Sequence, residues 1–127
     1  MPNRKSRSQH DKIVRYVHDC LIQQGYDDVR ADLPKFTRPE KIARMENDGH
    51  VVPDVTGRRY GLNIYEVETD ESIFDGHTED QWTRLATYAR EHMARFWVVV
   101  PKGSGDSAEQ RLRELKVLAN LWEVRPT

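Results

Sequence analysis

Three carboxylates, Asp54, Glu66 and Glu68, are the residues of this chain whose types and spacing could do chemistry. Glu66 and Glu68 are two positions apart in a run with strand periodicity, so their side chains share one face of the strand. Carboxylates crowded on one sheet face repel one another unless something compensates their charge. A hard divalent cation such as Mg²⁺ or Mn²⁺ is the natural compensator, because it prefers oxygen ligands. The alternative is a polar strand face that simply meets solvent.

Two features of the surrounding sequence favour the metal site over the solvated face. The neighbours of the carboxylates are strongly apolar; they include Val51, Val52, Val55, Leu62, Ile64 and Val67. Residues 62–69 also contain no Lys or Arg, although a solvated strand face normally mixes charges of both signs. The sequence therefore predicts a divalent-metal site among these carboxylates.

The position of Asp54 relative to the two glutamates depends on a hairpin. Residues 50–56 and 62–69 both have strand character, and residues 57–61 form a short link bounded by glycines. Strands joined by so short a link pair in the antiparallel sense. We therefore expect these two segments to be adjacent and antiparallel.

Two registers of this hairpin place Asp54 differently. Opposed residues in an antiparallel pair have numbers with a constant sum. A turn centred on Tyr60 puts Asp54 opposite Glu66, with Cβ atoms about 4.5–5.5 Å apart. A turn centred on residues 57–58 puts Asp54 opposite Gly61 and loosens the cluster. We favour the first register, because the linking residues comfortably form that turn.

The rest of the chain predicts helices and strands that alternate around the hairpin. Helical periodicity extends over residues 8–24, 78–93 and 107–117. Strand character is found in residues 28–33, 96–100 and 121–124. This order predicts an α/β protein with a mixed central β-sheet flanked by helices.

Local signals predict where some of these elements begin. Thr78 with Gln81 is typical of a capping box at the start of the second helix. Asp106 is the expected cap of the third helix. Pro39 could begin one helical turn that carries Ile42 and Met45 inward.

The motifs and their order resemble those of the PD-(D/E)xK nucleases. Pro53-Asp54 matches the Pro-Asp element of that family, and residues 66–68 match its Glu-x-Lys element, with Glu68 where the lysine belongs. The resemblance covers residues 8–101 and implies a restriction-endonuclease-like αβββαβ core in a single nuclease-like domain, residues 1–127. The family's lysine positions the attacking water, and some restriction endonucleases of this fold are active with Glu in its place.

Further residues match the family in part. In some branches a Gln early in the helix after the Glu-x-Lys strand faces the site, and Gln81 is in that place, with Tyr88 on about the same face. The spacing between these two residues is longer than in those branches, and Gln81 could instead only complete the capping box. Many members carry an acidic residue on the first helix. Asp11 and Asp19 are the candidates here, or else ordinary solvated acids.

The resemblance implies a metal-dependent nuclease that hydrolyses phosphodiester bonds in DNA, with endo or exo action. Asp54 and Glu66 would bind Mg²⁺ or Mn²⁺, with the Val67 carbonyl as a candidate third ligand. Glu68 would orient or deprotonate the attacking water, and Gln81 would face the site. Two alternatives are a catalytically inactive nuclease-fold domain that binds nucleic acid or a protein partner, and a plain α/β interaction domain. Minimal members of this fold often work as homodimers, so we expect self-association.

A basic segment precedes the hairpin. Four cations lie within ten residues, namely Lys35, Arg38, Lys41 and Arg44. We expect them to contact DNA phosphates, which positions the nucleic acid without reading its sequence. The alternative is a solvated basic surface.

Composition excludes several other classes of protein. The 127 residues are the length of one domain and carry a formal net charge of −1. Residues 45–82 hold ten acidic and two basic groups between basic ends, unlike a simple DNA-coating protein. No apolar run is long enough for a transmembrane helix, and no apolar segment typical of a secretory signal follows the basic start. With Cys20 as the only cysteine, an internal disulfide is excluded, and we expect a cytoplasmic protein.

Histidine spacing adds no second metal motif. The five histidines show no pair at the spacing typical of metal ligands on one helix. His77 could approach the carboxylates from the start of the second helix, although a histidine in that place is more often a surface residue.

Overall fold

The computed structural model describes residues 4–44 and 49–126, with side chains described for residues 7–42 and 49–126. These residues form the helices α1 (Arg4–Gln23), α2 (Gly76–Glu91) and α3 (Gly105–Leu115). They also form the strands β1 (Asp27–Ala31), β2 (Ala43–Arg44), β3 (His50–Val51), β4 (Val55–Arg58), β5 (Leu62–Val67), β6 (Arg95–Pro101) and β7 (Asn120–Val124).

The sheet is mixed, as the sequence predicts. Five strands follow the order β1-β4-β5-β6-β7, and β2 and β3 form a separate two-stranded ladder. Strands β1, β4 and β5 are antiparallel neighbours, whereas β5, β6 and β7 are parallel. The two parallel steps pass through α2 and α3, because parallel neighbours need a crossover connection. The predicted α/β class is confirmed.

Helices cover both faces of the sheet and bury two apolar clusters. The residues of α1 that pack on one face are Ile13, Val14, Val17 and Leu21. The residues of α2 and α3 that pack on the other face include Trp82, Leu85 and Leu112. Strand β6 contributes Val99 to the first cluster and Val98 to the second. A strand buried on both faces is apolar throughout, which explains the uninterrupted run over residues 96–100.

The hairpin adopts the register centred on Tyr60. Val55 lies opposite Tyr65, and Gly57 lies opposite Asn63. The alternative register, centred on residues 57–58, is therefore wrong. Tyr60 and Gly61 take up the turn with φ of 56° and 109°, so the link is shorter than expected and β4 continues through the predicted loop as far as Arg58.

Pro53 divides the strand that was predicted over residues 50–56. The part before it, β3, pairs with β2, and the part after it, β4, joins the main sheet. Proline has no N–H to donate to a ladder, and the N–H of Asp54 donates to a side chain instead. The helical turn predicted at Pro39 is wrong, because Ile42 donates its N–H to the Val51 carbonyl beside β2. Met45 lies outside the described residues.

Both later helices begin earlier than predicted. Helix α2 is capped by Asp75, whose side chain accepts a hydrogen bond from the His77 N–H at 2.8 Å. Thr78 is therefore inside the helix and buried, and the predicted capping box is wrong. Helix α3 begins at Gly105 after Ser104, so Asp106 lies in its first turn and is not its cap.

Candidate functional site

A cavity of about 430 Å³ opens at the carboxyl end of β5, between the starts of α1 and α2. Asp54, Glu66, Glu68 and Gln81, the four residues predicted as catalytic, all line it. Gln81 reaches this position because α2 begins two residues earlier than predicted, which frees it from the role of a capping residue. The structure thus brings the four predicted residues together in one place.

Asp54 and Glu66 are locked together across the hairpin. The N–H of Asp54 donates to Glu66 Oε1 at 3.0 Å, and the N–H of Val67 donates to Asp54 Oδ2 at 2.8 Å. Each carboxylate therefore binds the backbone of the opposite segment. Strand β4 begins only at Val55, so the backbone ladder is not yet formed at Asp54. The two hydrogen bonds from backbone N–H groups to carboxylates take the place of ladder hydrogen bonds and hold both side chains at the end of the sheet.

Glu68 is held by two side-chain donors. Ser72 Oγ donates to its Oε1 at 2.8 Å, and the indole Nε1 of Trp82 donates to its Oε2 at 2.9 Å. The Glu68 N–H continues the ladder to the Val99 carbonyl at 2.9 Å. The side chain of Glu68 is thus a buried carboxylate with a fixed orientation, 5 % exposed.

His10 is a site residue that the sequence analysis missed. Its Nε2 lies 3.2 Å from Asp54 Oδ2, and its Nδ1 lies 3.1 Å from Asp11 Oδ1. The spacing could have identified it, since His10 precedes Ile13 and Val14 by three and four residues and therefore shares the buried face of α1. The search for paired histidines overlooked a single histidine directed at a carboxylate on another element.

The two acidic candidates on α1 differ in their relation to the site. Asp11 lines the cavity and contacts His10, which in turn contacts Asp54. Asp19 pairs instead with His18, at 3.0 Å, and does not line the cavity.

Uncompensated negative charge dominates the electrostatics of the cavity. Burial, reinforced by the charges of Asp54 and Glu68, raises the pKa of Glu66 well above its usual range. Burial also raises the pKa of Glu68 to about 7, although the hydrogen bond from Ser72 opposes the shift. Burial disfavours the charged form of His10, but its contacts with Asp54 and Asp11 together outweigh that effect and raise its pKa to about 9. The site therefore favours binding of positive charge, including protons.

The donor chemistry fits Mg²⁺ or Mn²⁺. Within the described residues, no three His, Cys, Asp or Glu side chains already converge as a complete ligand set. Mg²⁺, however, is usually held by one or two carboxylates together with water and substrate phosphates. Asp54 and Glu66 supply that number of carboxylates at one edge of the cavity.

The predicted basic segment lies beside the cavity and does not line it. Lys35, Arg38 and Lys41 are not among the lining residues, whereas Arg7 of α1 is. Arg38 Nε contacts Asp32 Oδ1 at 3.2 Å, and Asp32 does line the cavity. The side chain of Arg44 lies outside the described residues.

Comparisons with known proteins found no relative: no family model, no curated protein and no solved structure matches the chain. None of the described helices has both the length and the apolar character to cross a bilayer.

Proposed function

We propose that this chain is a metal-dependent nuclease domain that hydrolyses phosphodiester bonds in DNA. The observation that carries the proposal is a single cavity lined by Asp54, Glu66 and Glu68, each of which is held by hydrogen bonds. A domain that buries Glu66 and Glu68 beside the half-buried Asp54 loses stability, and a site for cations explains why this chain does so.

The arrangement of elements supports a restriction-endonuclease-like core for this domain. Apart from β2 and β3, which form a separate ladder, the order α1, β1, β4, β5, α2, β6 corresponds to αβββαβ. The Pro-Asp residues directly precede β4, and the Glu-x-Glu residues lie at the end of its neighbour β5. Helix α3 and strand β7 extend that core by one parallel unit.

Each site residue then has a role that follows from its contacts. Asp54 and Glu66 would hold Mg²⁺ or Mn²⁺, which when bound polarises the phosphodiester and lowers the pKa of a water. Glu68, oriented by Ser72 and Trp82, would accept a proton from the attacking water. His10 balances the charge of Asp54.

A second candidate is a catalytically inactive nuclease-fold domain that binds nucleic acid or a protein partner. Two observations favour it. Glu68 replaces the family's lysine and adds negative charge where that lysine would offset it. Both of its oxygens also already accept hydrogen bonds from Ser72 and Trp82.

A cleavage assay separates the two candidates. The purified chain is incubated with supercoiled plasmid, linear duplex and single-stranded DNA, in Mg²⁺, in Mn²⁺ and in EDTA. We expect the parent to cleave DNA only when Mg²⁺ or Mn²⁺ is present. Asp54→Asn and Glu66→Gln should lose this activity. The control Asp19→Asn, remote from the cavity, should cleave as the parent does. DNA binding without cleavage in either metal would establish the inactive alternative.

A further inference from the structure

Phe74 is a large aromatic side chain that the fold leaves exposed in the turn before α2. It does not itself line the cavity. It is 54 % exposed, although its neighbour Ile73 is 1 % exposed and anchors the same turn in the core. The turn connects β5 to α2 and also carries Ser72 and Asp75, both of which line the cavity. Phe74 therefore lies in the chain between two residues of the cavity wall.

The turn that carries Phe74 is held firmly in place. The N–H groups of Ser72 and Ile73 both donate to the Thr69 carbonyl, at 3.1 and 3.2 Å. The N–H of Asp75 donates to the Ser72 carbonyl at 3.0 Å, and Ser72 Oγ binds Glu68. The ring is thus presented from a turn with fixed geometry, tied directly to a residue of the site.

Arg111 supports one side of the ring. Its guanidinium carbon lies 5.7 Å from the ring centroid of Phe74, within cation–π range. Its Nη2 contacts Glu79 Oε2 at 3.3 Å, and its buried Nε has no hydrogen-bond partner among the described residues. The contacts with Phe74 and Glu79 are therefore what hold the guanidinium under the ring, and much of the ring stays open to solvent.

We propose that Phe74, supported by Arg111, is a stacking platform for an unpaired nucleobase of the DNA that enters the cavity. The proposal rests on the nucleic-acid function proposed above and narrows its substrate class to DNA with a single-stranded segment. Every base has a π-face, so such stacking tolerates any sequence. Bases inside an intact duplex are already stacked on their neighbours and cannot use the platform.

Binding of labelled oligonucleotides in EDTA, where metal-dependent cleavage cannot proceed, tests the platform. The probes are a fluorescent single strand of mixed sequence and a blunt hairpin duplex, measured by anisotropy with the full chain. Phe74→Ala should weaken single-strand binding about tenfold and change duplex binding less than twofold. Phe74→Leu should bind as weakly as Phe74→Ala, because it keeps apolar bulk without a π-face. Phe74→Trp should bind as the parent does, and its added indole should give quenching by the oligonucleotide beyond any quenching of Trp82, Trp97 and Trp122 in the parent.

The chain offers a matched control in Tyr60. This residue is 86 % exposed and has Arg59 at 5.8 Å from its ring, but it lies in the turn at the opposite end of β5. Tyr60→Ala should bind the single strand as the parent does. Equal single-strand binding by Phe74→Ala and the parent would overturn the platform, as would an equal loss in Tyr60→Ala, a full rescue by Leu, or no single-strand binding by the parent.

The platform and the nuclease function fail separately. Phe74-dependent binding of single strands without cleavage in metal would support the platform and overturn the nuclease proposal. Metal-dependent cleavage with unchanged binding by Phe74→Ala would support the nuclease proposal and overturn the platform.

Discussion

At the scale of single residues, the site consists of acids whose charge the protein only partly neutralises. Glu66 and Glu68 are both buried, and the one cation within contact distance of the group in the described residues is His10, which faces Asp54. The raised pKa values of both glutamates follow from this imbalance. Metal binding and pH should therefore both change the stability of the folded chain.

Metal ions should stabilise the folded chain through Glu66. A divalent ion that binds only the folded state raises the free energy of unfolding by roughly 2.7 kcal/mol at a hundredfold excess over Kd. Glu66→Gln should abolish this gain and raise the melting temperature without metal, because it removes one of three crowded charges. Melting curves with and without millimolar Mg²⁺ or Mn²⁺ measure both effects, and Asp19→Asn should keep the parent's metal response. A parent that melts at the same temperature with and without metal contradicts the site.

The chain should lose stability as the pH rises towards neutrality, partly through Glu68. Its pKa is raised from 4.5 to about 7 in the folded protein, so the folded state holds a proton that the unfolded chain releases. The stabilisation is fully present below pH 4.5 and is lost as the pH rises through 7, by at most about 3 kcal/mol. Urea unfolding measures the free energy of unfolding between about pH 4.5 and 8, and its decrease over this range should be smaller for Glu68→Gln than for the parent. Parallel curves for the two proteins would contradict the assignment.

At the scale of the elements, the site depends on where β4 and α2 begin. Pro53 ends the ladder next to Asp54, so backbone N–H groups of Asp54 and Val67 bind carboxylates instead of carbonyls. Capping by Asp75 starts α2 at Gly76. This start places the indole of Trp82 against Glu68, and it places Gln81 in the cavity wall.

The cap of α2 can be tested by two substitutions at Asp75. Asp75→Ala removes the acceptor of the His77 N–H and should lower the free energy of unfolding by about 1 kcal/mol. Asp75→Asn should keep most of the stability, because Asn is an equally good cap. Chemical denaturation of both variants measures the difference. Equal stability of Asp75→Ala and the parent would contradict the cap.

At the scale of the whole molecule, the nuclease proposal requires basic groups around the acidic cavity, because DNA is a polyanion. Ten acidic and two basic residues lie between positions 45 and 82, while both flanking segments are basic. Arg7 and Arg38 border the cavity from this basic part of the chain, Arg7 in its wall and Arg38 through Asp32. Self-association, which the family resemblance implies, stays a prediction that sedimentation of the purified chain would test.

The basic segment should bind phosphates of the DNA backbone. Replacing Lys35, Arg38, Lys41 and Arg44 together with Ala should weaken duplex binding and flatten its salt dependence. The log–log slope should fall by about 0.9 for each phosphate that the variant no longer neutralises. Anisotropy titrations over a range of salt concentrations measure the slope, with Arg113→Ala on α3 as a control for general loss of charge. Unchanged affinity and slope in the quadruple variant would leave this segment a solvated surface.

The sequence by itself determined the order of the main helices and strands, the antiparallel hairpin, and the face shared by Glu66 and Glu68, and it favoured the hairpin register that the structure has. These depend on local periodicity and on a short link, which act between residues close in the chain. Only the tertiary structure decided that Pro53 splits the strand, that Asp75 caps α2, and that His10 contacts Asp54, from which it is 44 positions away in the sequence. It also decided that Trp82 and Ser72 hold Glu68 and that Phe74 stays outside the core. Burial and hydrogen bonding between distant elements settle the contacts of His10, Glu68 and Phe74. The Asp75 cap is a local contact, but Thr78 offers a competing cap in the sequence, and only the packing of α2 decides between them.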